Sequence, residues 1–101
     1  MEWFGRKLVT VIAESALERA LIADVRQIGA SGYTISEVRG GGLSGERAGD
    51  WEGERSIEIR ILCDAPLAER MALHIMRRYA ANFSLVLYVT DAQVVRADRF
   101  L

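Results

Sequence analysis

Residues 56–62 read Ser-Ile-Glu-Ile-Arg-Ile-Leu, and this strict alternation leaves little choice of local structure. Successive side chains of a strand point to opposite faces, so Ile57, Ile59 and Ile61 share one face while Ser56, Glu58 and Arg60 share the other. A face built only of isoleucine has to be covered by helices. Two amphipathic segments are available to do so. Leu17, Leu21, Val25 and Ile28 recur every three or four residues, leaving Arg19, Arg26 and Gln27 off the stripe. Leu67, Met71, Ile75 and Tyr79 form a second stripe, widened by Ala72 and Met76.

Local signals set the limits of these elements. Ser15 and Glu18 have the spacing of a capping box, in which each side chain satisfies the other residue's backbone amide. Gly29 and Gly32 are expected to end the first helix, since glycine enters the left-handed region without steric cost. Asp64 is placed to cap the second helix, Pro66 suits its first turn, and Arg77 and Arg78 complement its negative pole. Further strands are expected at residues 8–13, 33–39 and 84–90, with a short one at 92–96 after a break at Asp91. The order is β-α-β-β-α-β with a short extra strand at the C-terminal end. Two similar helices on one face of a four-stranded antiparallel sheet make this a ferredoxin-like α+β sandwich. Residues 1–101 form a single domain of the usual size.

Residues 40–55 interrupt this regularity. Gly40-Gly41-Gly42-Leu43-Ser44-Gly45 suits no regular element, and the stretch to Arg55 is far longer than a hairpin needs. A loop of that length in a compact domain is usually functional, and a mobile one is expected. Its Trp51 is an expected partner-binding anchor, because a tryptophan among glycines and acids is costly to leave in water.

Composition narrows the function. Thirteen Lys and Arg against fourteen Asp and Glu leave a charge of −1, which disfavours general nucleic-acid binding. The longest uncharged run, residues 79–90, is well short of the roughly 20 residues that span a bilayer. Direct membrane insertion is not expected. The single cysteine, Cys63, cannot close an internal disulfide, so a reducing cytoplasm is expected, with Cys63 a small buried hydrophobe. His74 has no second His or Cys at ligand spacing, and no metal site is expected.

The segment Gly29-Ala30-Ser31-Gly32-Tyr33-Thr34-Ile35-Ser36-Glu37-Val38-Arg39-Gly40-Gly41-Gly42 resembles the G-x-x-G-x-T-x-S-E-V-K-G-x-G signature of the PII signal-transduction family. Ser56-Ile57-Glu58-Ile59 is similar to that family's K-I-E-I strand, and Ala92-Gln93-Val94-Val95-Arg96 to its A-R-V-I-R strand. The resemblance implies a homotrimeric, non-catalytic regulator that binds adenine nucleotides between subunits and signals through residues 40–55, the counterpart of the T-loop. Carried over residue by residue, Thr34 approaches the adenine and Gly32 the ribose side. Gly40 and Gly42 offer amides to phosphate, Glu58 and Arg60 edge the base pocket, and Arg96 is a phosphate partner.

Some family features are missing. The glycine- and lysine-bearing loop before the last strand is replaced by the short Tyr79-Ala80-Ala81-Asn82-Phe83, and Leu43 and Ser44 stand where Arg and Gln follow the second glycine. Asp98 takes the place of the second arginine of the closing strand, with Arg99 one position on. These departures weigh against magnesium ATP and against 2-oxoglutarate held through the metal. They are similar to the divergent PII-like branch associated with bicarbonate transporters and carboxysomes. That branch keeps Gly32-Tyr33-Thr34 and uses a loop arginine for phosphate, here Arg47. The implied ligands are AMP, ADP or cyclic AMP, with ATP less favoured, and bicarbonate as a further ligand; the implied partner is a membrane transporter or carboxysome-related protein. Two other functions fit the topology. One is an amino-acid-binding regulatory module. The other is a small acyl-phosphate hydrolase, for which Arg6 and Asn82 are the available residues but lie in no recognisable motif.

Overall fold

The computed structural model describes residues 1–40 and 55–96. Strand β1 (Phe4–Glu14) leads through a 3-10 turn (Ser15–Leu17) into helix α1 (Glu18–Ile28). Strands β2 (Thr34–Val38) and β3 (Ser56–Cys63), helix α2 (Ala65–Tyr79) and strand β4 (Leu85–Val94) follow. The four strands form one antiparallel sheet in the order β2-β3-β1-β4. The ferredoxin-like sandwich read from the sequence is the fold observed.

The isoleucine face is the centre of the core. Val11 of β1 lies opposite Ile59 on one side and Leu87 on the other, so the inward residues of adjacent strands stack in rows. Val9, Val11, Ala13, Ile57, Ile59, Ile61 and Cys63 are all buried there beneath Leu17, Leu21 and Val25 of the first crossover and Leu67, Met71, Ile75 and Tyr79 of α2. Each large aliphatic side chain among them contributes about 1.5–3 kcal/mol by leaving water. Ile28 is only partly buried at the margin of the core. Met76 is not part of the stripe: it lies one residue, or about 100° of helix, past Ile75, and α2 turns it outward.

Several boundaries differ from the sequence reading. The last two strands are one. Asp91 pairs with Lys7 in the ladder and its carboxylate accepts a bond from the Lys7 ammonium, so the charge that suggested a break belongs to the strand. The same pairing extends β1 back to Phe4. No separate short C-terminal strand exists among the described residues. Nor does the capping box form: Ser15 donates its backbone N–H to the Arg55 carbonyl at 2.8 Å, and α1 begins only at Glu18 without a side-chain cap. The carbonyl supplies what the Glu18 carboxylate was expected to supply. Of the two glycines proposed to end α1, Gly29 does so, with φ of 112°. Ala30 N–H closes on Val25 O at 3.2 Å and Gly29 N–H on Arg26 O at 3.1 Å, a Schellman arrangement, so Gly32 is not needed. Asp64 does cap α2, accepting from Leu67 N–H at 2.9 Å.

One polar cluster is buried between the helices. Asp24 of α1 is 3% exposed, and its carboxylate accepts a hydrogen bond from the Tyr79 hydroxyl. His74 Nε2 lies 3.2 Å and Arg78 Nε 3.8 Å from the same carboxylate. Burial first, and then the bond to Asp24, raise the Tyr79 pKa above its ordinary value, so the phenol remains a donor at neutral pH. Urea denaturation of Tyr79→Phe is expected to show a loss of about 1–2 kcal/mol, and of Asp24→Ala about 2–3 kcal/mol, because each leaves buried polar groups without a partner.

Candidate functional site

The helices cover one face of the sheet, and the residues singled out from the sequence fall on the other. Thr34 of β2 pairs with Arg60 of β3, which pairs with Thr10 of β1 and, beyond it, Tyr88 of β4. The next row runs Ser36, Glu58, Ile12 and Val86. Alternation puts both rows on the uncovered face. Its β2–β3 half is polar, with Glu58 and Arg60 joined along the strand by an Nε–Oε2 contact of 3.5 Å. Its β1–β4 half is apolar, with Val86 and Tyr88 exposed by 38% and 46%. Thr10, though polar, is buried between them.

The segment entering β2 is held from the helix side. Tyr33 packs against the core, its hydroxyl lies 3.4 Å from an Arg26 guanidinium nitrogen, and the guanidinium carbon stands 5.9 Å from its ring. This contact fixes the backbone immediately before Thr34 and leaves the threonine exposed.

The expected site residues do not converge within one chain. Thr34, Glu58 and Arg60 come together on the open face, with Gly32 just before them. Gly40 lies past the opposite end of β2, six residues from Thr34, or roughly 20 Å at strand spacing. Arg96 lies past the end of β4, and the six residues from Tyr88 to Val94 already take it roughly 20 Å from the Thr34 row, on the far edge strand. Gly42, Arg47 and Trp51 lie outside the described residues, as does most of the 40–55 segment. Neither Gly32 nor Gly40 has a left-handed φ, and a Cβ added at either would meet nothing within 4 Å. The fold of the single chain therefore imposes no glycine at these two positions.

Other candidate chemistries fare poorly. Arg6 lies near the start of β1 and Asn82 precedes the strand that pairs with Ala13, so they sit toward opposite ends of β1, roughly 23 Å apart along it, and do not form a phosphate-activating pair. Among the described residues no three His, Cys, Asp or Glu side chains cluster as a metal would require. No helix among them is long and apolar enough to cross a membrane. Burial, and then the neighbouring Asp64 charge, push the Cys63 thiol up to about 11, so it is no nucleophile at neutral pH. The Asp24 cluster, missed in the sequence, holds the helices together on the side away from the open face.

The fold, the glycine-flanked strand and the open, half-polar face define the class of PII-like signalling domains. The sequence matches the family described as Nitrogen regulatory protein P-II over residues 6–99, and the chain belongs to that family. A PII-like signalling protein from Thermus thermophilus is 36% identical, with 100% of both chains covered and a TM-score of 0.84. CPII from Thiomonas intermedia, in a structure bound to ADP and bicarbonate, is 25% identical over 99% of this chain and 98% of that one, with a TM-score of 0.85. The same protein bound to ADP, AMP and acetate superposes with a TM-score of 0.83 at 23% identity over 99% and 98% of the two chains. No curated protein sequence matches the chain.

The raised Cys63 pKa has a definite sign in stability. Between pH 9 and about 11 the unfolded thiol ionises while the folded one stays protonated, so stability falls across that window. Denaturation curves across this range should show the decline, and Cys63→Ala should lessen it, leaving the part above pH 10 that the raised Tyr79 pKa contributes. Native protein should react with a thiol-specific disulfide reagent far more slowly than urea-unfolded protein.

Proposed function

We propose that the protein is a non-catalytic sensor of adenine nucleotides, assembled as a homotrimer, with each nucleotide held between neighbouring subunits. The observation that carries this reading is the separation of the site residues. Thr34, Glu58 and Arg60 form one cluster, while Gly40 and Arg96 each lie roughly 20 Å or more away in the same chain. A mononucleotide reaches both a base pocket at Thr34 and a phosphate site at Arg96 only when a second subunit supplies the latter. The exposed apolar half of the open face gives the subunits a surface to bury.

In this arrangement Thr34, Glu58 and Arg60 line the base and ribose end, with Gly32 beside them. Gly40, Gly42, Arg47 and Arg96 serve the phosphate, where glycine lets backbone amides crowd an anion and arginine binds it through two parallel hydrogen bonds. AMP, ADP and cyclic AMP are the favoured ligands, ATP the weaker one, and bicarbonate a co-ligand. CPII's ADP- and bicarbonate-bound structure supports that choice. Residues 40–55, with Trp51 as anchor, carry the signal to a transporter or another inorganic-carbon protein in the cytoplasm. A ligand that contacts this segment in only one conformation shifts its population by no more than its differential affinity.

Isothermal titration with AMP, ADP, ATP and cyclic AMP, each with and without bicarbonate, tests this reading. Binding of at least one is expected, with Arg60→Glu and Arg96→Glu each weakening it about tenfold or more. No heat with any of the four removes the proposal. Light scattering should give a trimer, and Val86→Glu with Tyr88→Glu should lower both the mass and the nucleotide affinity. Melting shifts with amino acids but not nucleotides would favour the amino-acid-binding alternative.

A further inference from the structure

The outer surface of α2 carries a groove of about 450 Å³ whose walls are Arg70, Leu73, His74, Arg77 and Arg78. Arg70 and Arg77 stand two turns apart on the helix and make no ion pair among the described residues. Leu73 lies between them, 47% exposed, and Met76, one turn further on, is 43% exposed. Beneath the groove, the buried Asp24 carboxylate lies 3.2 Å from His74 Nε2 and 3.8 Å from Arg78 Nε, which fixes that wall. The surface is thus an apolar strip with Arg70 and Arg77 along one side and the exposed Glu69 along the other, the guanidinium groups outnumbering the carboxylate, in a chain whose net charge is −1.

We infer that this groove docks an acidic, amphipathic segment of a partner protein, with carboxylates on Arg70 and Arg77 and an apolar side chain on Leu73 and Met76. All five lining residues belong to one helix, so the groove has no second wall to enclose a small anion. A partner segment supplies that wall itself. Charge complementarity selects its sign, and the apolar strip selects its amphipathic spacing. The groove lies on the helical side of the domain, away from the open sheet face. Its use neither depends on the nucleotide reading nor competes with assembly through that face.

The test uses a fluorescein-labelled helical peptide of about 15 residues, with leucines at one-turn spacing flanked by glutamates. Its controls are the lysine-substituted counterpart and polyglutamate. Anisotropy with the full-length protein should show binding of the acidic amphipathic peptide, weaker binding of polyglutamate and none of the basic peptide. Arg70→Glu with Arg77→Glu should weaken the first about tenfold or more, as should raising the salt to about 0.5 M. Leu73→Ala should weaken it several-fold, while nucleotide titration and the circular dichroism spectrum stay unchanged in all variants. Equal binding by the charge-reversed variant, or no binding of the acidic peptide, overturns the inference. So does competition by inorganic phosphate at lower concentration than the peptide, which would mark a small-anion site. A loss of oligomeric mass in the charge-reversed variant also overturns it, by assigning the groove to a second copy of the chain.

Discussion

The structure depends on one-sided burial of the sheet. Ile57, Ile59 and Ile61, stacked on Val9, Val11 and Ala13, draw both helices to a single face, and no helix among the described residues remains to cover the other. That leaves the opposite face with Thr34, Glu58 and Arg60 on one half and Ile12, Val86 and Tyr88 on the other. A polar cluster next to an apolar patch is suited to a composite site, because burying the apolar half against a neighbour removes water from around the charged half. Electrostatic contacts to a phosphate or base edge strengthen as water leaves. The same asymmetry that stabilises the domain leaves this half-polar face open.

The two faces also divide the labour. On the helical side, Asp24 draws Tyr79, His74 and Arg78 together, fixing the angle between α1 and α2 and holding one wall of the α2 groove. Also from the helical side, Arg26 and Tyr33 anchor the approach to β2, while Thr34 is exposed on the open face. α1 takes part in both contacts, through residues two positions apart.

Much of this was legible from short-range pattern. Alternation at residues 56–62, the stripes of both helices, the Asp64 cap and the Gly29 stop are local signals, each set by a few neighbouring residues, and each is found in the structure. What escaped depends on partners distant in sequence. Lys7 and Asp91, 84 residues apart, turn two expected strands into one. Arg55, far from Ser15 in the chain, supplies the carbonyl that makes a capping box unnecessary. Tyr79 and Asp24, 55 residues apart, form a buried pair that no spacing rule reveals. The site followed the same division. The placement of Thr34 beside Arg60 and Glu58 follows from strand periodicity once the register is known. The proposed joining with Arg96 would be a property of an assembly, which one chain's periodicity does not encode.

The central claim is that the nucleotide site is shared between chains, and subunit mixing tests it most directly. Arg60→Glu protein and Arg96→Glu protein are each prepared, unfolded, combined in equal amounts and refolded together, and AMP or ADP binding is measured on the mixture. A shared site predicts that each variant alone binds more weakly by about tenfold or more, while the refolded mixture regains full-affinity binding at about a quarter of all its sites, those pairing an intact Arg60 with a neighbour's intact Arg96. A mixture that binds no better than its parents, despite confirmed mixed oligomers, would contradict the account.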